Sequence, residues 1–187
     1  LAFSASTDGA DNIAIGRSAL AVSGNDGDAN IAIGHAALGT GDVSGIHNIG
    51  IGASAAAAIT TGICNVAIGK NALAVATTGC LNIAIGELAL GAGALACGGA
   101  GQAEGNIAIG ESALTAMTVG SNNIGMGLTS GDALTTGNNN IALGQLALSA
   151  SPDGEDNIAI GRSALAASDG VADCNIAIGL SALGGAD

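Results

Sequence analysis

Aliphatic and small residues alternate in a short block that recurs along almost the whole chain. The block reads Asn-Ile-Ala-Ile-Gly-x-x-Ala-Leu, and its large–small–large alternation predicts a short β-strand. The glycine that closes the strand favours a bend that other residues would resist. Ten copies are present, and their asparagines are Asn12, Asn30, Asn48, Asn65, Asn82, Asn106, Asn123, Asn140, Asn157 and Asn175.

The spacing of these copies predicts the fold class. Successive asparagines are 17 or 18 residues apart, except for 24 residues between Asn82 and Asn106. A unit of this length, with a second short strand expected at residues 18–20 of the first copy, cannot bury its own apolar face, whereas stacked units can. We therefore predict an all-β fold, a parallel β-solenoid of about ten 17–18-residue turns that forms one domain over residues 1–187. At roughly 4.8 Å per turn, the rod would be about 48 Å long.

Equivalent positions in the ten copies form columns along the predicted rod. We expect Ile13, Ile15 and Leu20, with their equivalents, to fill the interior. The asparagines would stack into a ladder of amide hydrogen bonds, or would only mark the turn that enters each strand; both roles are structural. The positions to which we assign a structural role on this basis are Asn12, Gly16, Asn30, Gly34, Asn65, Gly69, Asn157 and Gly161.

The column between the two aliphatic positions contains only small residues. Alanine and glycine are poor strand residues, and a solvated face usually carries threonine or charge. We therefore expect this column to be a face that another chain approaches closely, with a tight corner inside one chain as the alternative. The column consists of Ala14, Ala32, Gly50, Ala67, Ala84, Ala108, Gly125, Ala142, Ala159 and Ala177.

Composition and charge exclude several classes of partner. The net charge is −12, and the chain has three basic residues and no tryptophan or tyrosine. A phosphate backbone would be repelled, so we expect no nucleic-acid partner. No apolar run approaches the roughly 18 residues of a membrane span, so we expect no membrane insertion. The three basic residues, Arg17, Lys70 and Arg162, share one variable column after the glycine, which indicates a solvated position.

The repeated block resembles known repeats. Its Asn-x-Ala-Ile-Gly-x-x-Ala/Ser pattern is similar to the head domains of trimeric autotransporter adhesins, and the longer Asn-x-Ala-Ile-Gly-x-x-Ala-Leu units, with Thr-Thr-Gly loops such as residues 135–137, resemble those of phage and viral fibre proteins. The resemblance implies a left-handed β-roll, three chains side by side, and an extracellular or virion-surface location. It would also explain the small-residue column as a trimer face. The neck and stalk heptads of the adhesins are absent from this sequence.

The two ends of the repeat array predict self-association. The number of residues from Asn175 of one copy to Asn12 of a following copy would be 24, which equals the long spacing inside the chain. Unpaired edges of terminal turns can accept turns of another subunit. We therefore expect head-to-tail stacking into a filament, with a stretch of one longer fibre chain as the alternative.

The four cysteines are Cys64, Cys80, Cys97 and Cys174. Cys64 precedes its asparagine by one residue and Cys80 by two, so they would lie at similar places on adjacent turns, and we expect a disulfide between them. Buried free thiols are the alternative. No Cys-x-x-Cys or Cys/His pattern predicts a zinc site.

Two features of the sequence are candidates for chemistry beyond a purely structural role. The first six residues from Ile15 match a hexapeptide of left-handed β-helix acyltransferases, but the rest of the turn does not, and the two histidines, His35 and His47, fall at expected surface positions. Acidic loops are weak candidates for calcium binding, since they lack an EF-hand or Gly-Gly-x-Gly-x-Asp pattern. The candidate calcium ligands are Asp26, Asp28, Asp153, Glu155 and Asp156.

These patterns predict a structural protein. We expect a non-enzymatic, cofactor-free subunit of an extracellular or virion-surface fibre that associates with itself, as a lateral trimer, a head-to-tail filament or both. An adhesin head or receptor-binding module is the alternative, and recognition surfaces of that kind usually use aromatic and arginine anchors. Phe3, Arg17 and Arg162 are the only such residues in the chain. An acyltransferase is the remote alternative.

Overall fold

The computed structural model describes residues 9–21, 26–96, 103–166 and 173–185. These residues contain ten β-strands, each of three residues, and no helix. The strands are β1 (Ile13–Ile15), β2 (Ile31–Ile33), β3 (Ile49–Ile51), β4 (Val66–Ile68), β5 (Ile83–Ile85), β6 (Ile107–Ile109), β7 (Ile124–Met126), β8 (Ile141–Leu143), β9 (Ile158–Ile160) and β10 (Ile176–Ile178).

The ten strands form one parallel sheet in chain order. Each strand pairs with the strand of the next turn at equivalent positions, so that Ile13 lies beside Ile31 and Ala14 beside Ala32. A chain that returns after every strand to the next place in one parallel sheet is a β-solenoid, and the predicted all-β solenoid is confirmed. The rod has ten strands joined by nine successive pairings.

The long spacing in the middle of the chain does not break the sheet. Ile83 of β5 pairs with Ile107 of β6 in the same register as elsewhere. The backbone N–H of Ile83 donates to the Asn106 carbonyl at 2.8 Å, the distance found at neighbouring turns. The extra residues therefore lie in the connection between the two turns, part of which (residues 97–102) lies outside the described ranges.

The two faces of the sheet are the reverse of the prediction. The alanine column is buried, with Ala32, Ala84 and Ala142 fully inaccessible, and the isoleucines on either side point outwards. The small residues therefore form a tight inner wall of one chain at the middle of each strand, and not the intermolecular face or the corner expected for this column. An added Cβ at Gly125 would lie 2.8 Å from Cγ of Leu114, so the space behind the sheet admits only small side chains.

The leucine column fills the opposite wall of the core, as predicted. The largest fully buried side chains include Leu38, Leu73, Leu90 and Leu114. Each contributes about 1.5–3 kcal/mol by leaving water. The interior thus contains alanines from the sheet, leucines from the turn that follows it, and buried apolar side chains of the connections, such as Val43, Ile59 and Met117.

The predicted second strand at residues 18–20 is wrong, because these residues form a turn. Ser18 and Leu20 have positive φ values of 58° and 45°, and equivalent residues repeat this conformation in later turns. Left-handed backbone costs a non-glycine residue roughly 1–2 kcal/mol. Burial of the leucine offsets this cost, and backbone hydrogen bonds between turns continue here, as from Leu38 N–H to the Ala55 carbonyl at 3.0 Å.

Two leucines of one turn provide a test of this packing. Leu90 is fully buried, whereas Leu88 is 36% exposed, and both have positive φ. We expect Leu90→Ala to lower the free energy of unfolding by about 2–5 kcal/mol because it leaves a cavity. The matched change Leu88→Ala should cost less than about 1 kcal/mol. Urea denaturation followed by circular dichroism measures both, and similar losses would contradict the assigned core.

Candidate functional site

The asparagine side chains between Asn12 and Asn175 each join their own turn to both neighbours. The Asn140 backbone N–H and Nδ2 both donate to Oδ1 of Asn123, at 3.0 and 2.9 Å. Nδ2 also donates to the carbonyl of Gly154 at 2.7 Å. Oδ1 of Asn140 in turn accepts the backbone N–H and Nδ2 of Asn157, both at 3.0 Å.

The bond from each backbone N–H to the Oδ1 of the preceding asparagine runs without a break from Asn12 to Asn175. The ladder asparagines between them, from Asn30 to Asn157, are fully buried. An amide has two donor hydrogens and an oxygen that accepts two bonds, and the arrangement at Asn140 uses all four. The predicted amide ladder is therefore confirmed.

The glycine that ends each strand has two independent reasons to be glycine. Gly86 has a φ of 134°, which residues with a Cβ rarely adopt. A Cβ at Gly86 would also lie 2.5 Å from the carbonyl oxygen of Gly110 on the next turn. The structural role predicted for Gly16, Gly34, Gly69 and Gly161 has the same basis.

The outward side chains of the ten strands form a continuous aliphatic surface, which we call the isoleucine face. It consists of the first and third residue of every strand, from Ile13 to Ile178. At the ends of the sheet these side chains are 47–66% exposed, as at Ile13, Ile15, Ile176 and Ile178. Inner members are mostly half-buried because neighbouring turns cover their edges. A continuous apolar surface of this kind is typical of an interaction site.

Two columns border the isoleucine face. The leading flank precedes the ladder asparagines and consists of Asp11, Ala29, His47, Cys64, Leu81, Gly105, Asn122, Asn139, Asp156 and Cys174. The trailing flank follows the strand-ending glycines and consists of Arg17, His35, Ala53, Lys70, Glu87, Glu111, Leu128, Gln145, Arg162 and Leu180.

The charged residues of the trailing flank differ in whether they form a salt bridge. Lys70 Nζ forms a salt bridge of 2.7 Å with Glu87 on the next turn, and this hydrogen bond raises the pKa of Lys70. It is the one salt bridge within the described ranges. Arg17 and Arg162, on the same flank, have no carboxylate within 4 Å in those ranges. Asp11 and Asp156, on the leading flank, likewise form no salt bridge there.

Three of the five acidic residues predicted as weak calcium ligands accept hydrogen bonds from other turns. Asp28 accepts the backbone N–H of Ala10 at 2.7 Å, and Asp153 accepts the hydroxyl of Thr136 at 2.6 Å. Glu155 similarly accepts an amide N–H from the preceding turn at 2.9 Å. No group of three or more His, Cys, Asp or Glu side chains suited to a metal ion occurs in the part of the chain that the structure describes.

The expected disulfide between Cys64 and Cys80 is wrong. Cys80 is disulfide-bonded, whereas Cys64 and Cys174 are exposed free thiols. Cys64 lies on the leading flank with a φ of 57°. Cys80 is buried, with a relative exposure of 6%. The one-residue offset from the ladder asparagine therefore places the two thiols in different columns. The fourth cysteine, Cys97, lies outside the described residues.

The histidines are at exposed positions on the two flanks, His35 trailing and His47 leading, as predicted. The described residues include no helix that could cross a membrane. In comparisons with known proteins, no family model, curated protein or solved structure matched the chain.

One buried polar atom was not anticipated from the sequence. Oδ1 of Asp132 has no hydrogen-bond partner in the described structure. Burial raises the pKa of Asp132, and backbone N–H groups of Asp132 and Ala133 oppose the shift. The repeat pattern does not predict a buried aspartate here: Gly131 stands where eight of the other nine turns have leucine, and Asp132 follows it.

The asparagine ladder makes a direct stability prediction. Asn140→Ala removes the acceptor of two Asn157 donors and the donor to Gly154. Each buried group left unpaired costs about 1–3 kcal/mol, so we expect a loss of about 3–6 kcal/mol in the free energy of unfolding. The matched control is Asn139→Gly. Asn139 is an exposed neighbour with a positive φ, a conformation that glycine adopts without strain. An equal loss for both variants in chemical denaturation would argue against the ladder.

The raised pKa of Asp132 predicts how stability depends on pH. Its folded pKa lies above its unfolded value, so the folded state holds the proton more tightly and stability falls as pH rises through this interval. We expect Asp132→Asn to raise the melting temperature at pH 7, with a smaller gain at pH 3, where the wild-type carboxyl is also neutral. Asp26→Asn, at an exposed site, is the charge control. A gain independent of pH would contradict the assignment.

Proposed function

We propose that this chain is a structural, non-enzymatic rod segment that associates with itself to build a fibre outside the cell or on a virion surface. The observation that carries the proposal is the repetition of one outward aliphatic pattern on all ten strands in a single register. A surface that repeats at every turn suits contact along the full length of a rod better than recognition of one small ligand.

The hydrogen bonding inside the rod supports a structural role. The amide ladder, the strand pairing and the bonds through the turns all run along the rod axis. Successive turns are therefore tied by several parallel rows of hydrogen bonds. In repeat proteins of this kind, stability increases with the number of stacked turns.

The edges of the sheet support growth along the axis. β1 and β10 each have one strand neighbour among the described residues. A further turn in the same register, supplied by another copy or by more of the same polypeptide, would extend the ladder from Asn12 or Asn175. The resemblance to fibre and adhesin repeats agrees with an extracellular fibre and adds a lateral trimer as one arrangement.

Electron microscopy of the purified protein tests this proposal. We expect thin rods that are longer than the roughly 48 Å of ten stacked turns, or that lie side by side in bundles. Only single short particles over a wide range of concentration would contradict the fibre role. Binding of such single particles to glycans or extracellular matrix would favour the adhesin alternative instead.

A further inference from the structure

The isoleucine face has no partner within the chain, and its borders indicate what covers it. Asp11 on the leading flank and Arg17 on the trailing flank belong to the same turn, and so do Asp156 and Arg162. All four side chains are exposed, and the described residues contain no salt bridge for any of them. The six-residue separation within each turn places the two charges on opposite borders of the face, where they do not form a salt bridge with each other.

We propose that a second copy of this chain covers the isoleucine face, side by side with the first, parallel to it and in register. The proposal rests on the self-associating rod described above and specifies its lateral interface. Rotation about an axis parallel to the rod brings the leading flank of one copy against the trailing flank of its neighbour at the same turn. Asp11 then meets Arg17 of the second copy, and Asp156 meets its Arg162.

The remaining turns agree with this orientation. Asn139 meets Gln145 of the second copy, an amide beside an amide, and Glu87 meets Leu81. No turn places like charges together. An antiparallel arrangement of the same two faces, with all ten turns overlapping, would bring Glu87 against Glu111 and would leave Asp11 and Asp156 without cations. Charge complementarity therefore selects the parallel arrangement.

The size of the face is sufficient for a stable contact. Ten turns at roughly 4.8 Å, with a width of roughly 15–20 Å between the flanks, give about 700–950 Å² from each copy. Specific interfaces bury about 800 Å² from each partner. The exposed leucines at Leu81, Leu128 and Leu180 widen the apolar part of the surface on its flanks.

The first experiment measures the mass of the protein in solution by light scattering, across concentration and salt. We expect a mass of at least two chains at micromolar concentration. Ile109→Lys, in the middle of the face, should weaken association at least tenfold, whereas Leu146→Lys should not, because Leu146 is an exposed leucine outside the face. Wild-type protein that remains a single chain would overturn the proposal, while filaments in electron microscopy would still support the fibre role through end-to-end growth.

Charge exchange tests the orientation. Asp156→Arg or Arg162→Asp alone should weaken association about 5- to 20-fold at low salt, since each puts like charges together at every contact. The double variant Asp156→Arg/Arg162→Asp restores opposite charges only in the parallel, in-register arrangement, so its affinity should return to within about twofold of wild type. A double variant as weak as the single variants would overturn the orientation.

Cross-linking supplies an independent measurement if a charge variant fails to fold. In protein with Cys64→Ser and Cys174→Ser, a short bis-maleimide should join Asn139→Cys/Gln145→Cys chains into covalent multimers. The control variant is Ala53→Cys/Gln145→Cys, because these two positions of neighbouring copies meet only in the antiparallel arrangement. Efficient cross-linking of the control, with little of the first variant, would overturn the proposal.

Discussion

An asparagine side chain has two donor hydrogens and one oxygen that accepts two bonds, and stacking at the spacing of β-strands can use all of them. In this rod the ladder asparagines from Asn48 to Asn140 do so, between the amide of the turn on one side, the amide and backbone of the turn on the other, and a loop carbonyl. A shift of one residue would leave these buried groups unpaired, at a cost of about 1–3 kcal/mol each. The ladder therefore sets the register of the sheet.

Once the register is set, the thickness of the core decides which side chains face inwards. The sheet lies so close to the turn behind it that an added Cβ at Gly50 would be 3.0 Å from the Ala55 carbonyl oxygen. Most other turns hold a fully buried alanine in this column, and no room is left there for isoleucine. The leucines, reaching across from left-handed turn positions, fill what space remains. The larger β-branched side chains are consequently placed outside, where only another molecule can bury them.

This constraint explains which features could be predicted from the sequence. The repeat length, the solenoid, the amide ladder and the glycine column follow from positions such as Asn140 and Gly86, whose residue type hardly varies among the ten turns. Alternation with a period of two does not identify the inward face, so Ala14 and Ile15 were assigned to the wrong sides. The left-handed conformation of Leu20 is likewise invisible to propensity, because burial outweighs its backbone cost. The predicted disulfide between Cys64 and Cys80 is wrong because their spacings from the ladder asparagine differ by one residue, which places them in different columns.

A perfectly repeating face cannot by itself align two rods. The isoleucine columns would pack nearly as well after a slip of about 4.8 Å, one turn, because seven of the ten turns present the same pair of isoleucines and the other three differ by one side chain. The variable flanks break this degeneracy. A slip of one turn would place Asp11 opposite His35 or beyond the end of the neighbouring array, and Asp156 opposite Leu180 or Gln145, so both aspartate–arginine pairs are lost together. In the proposed assembly the invariant columns build each rod, and the few charged residues beside them would supply the specificity with which one rod recognises another.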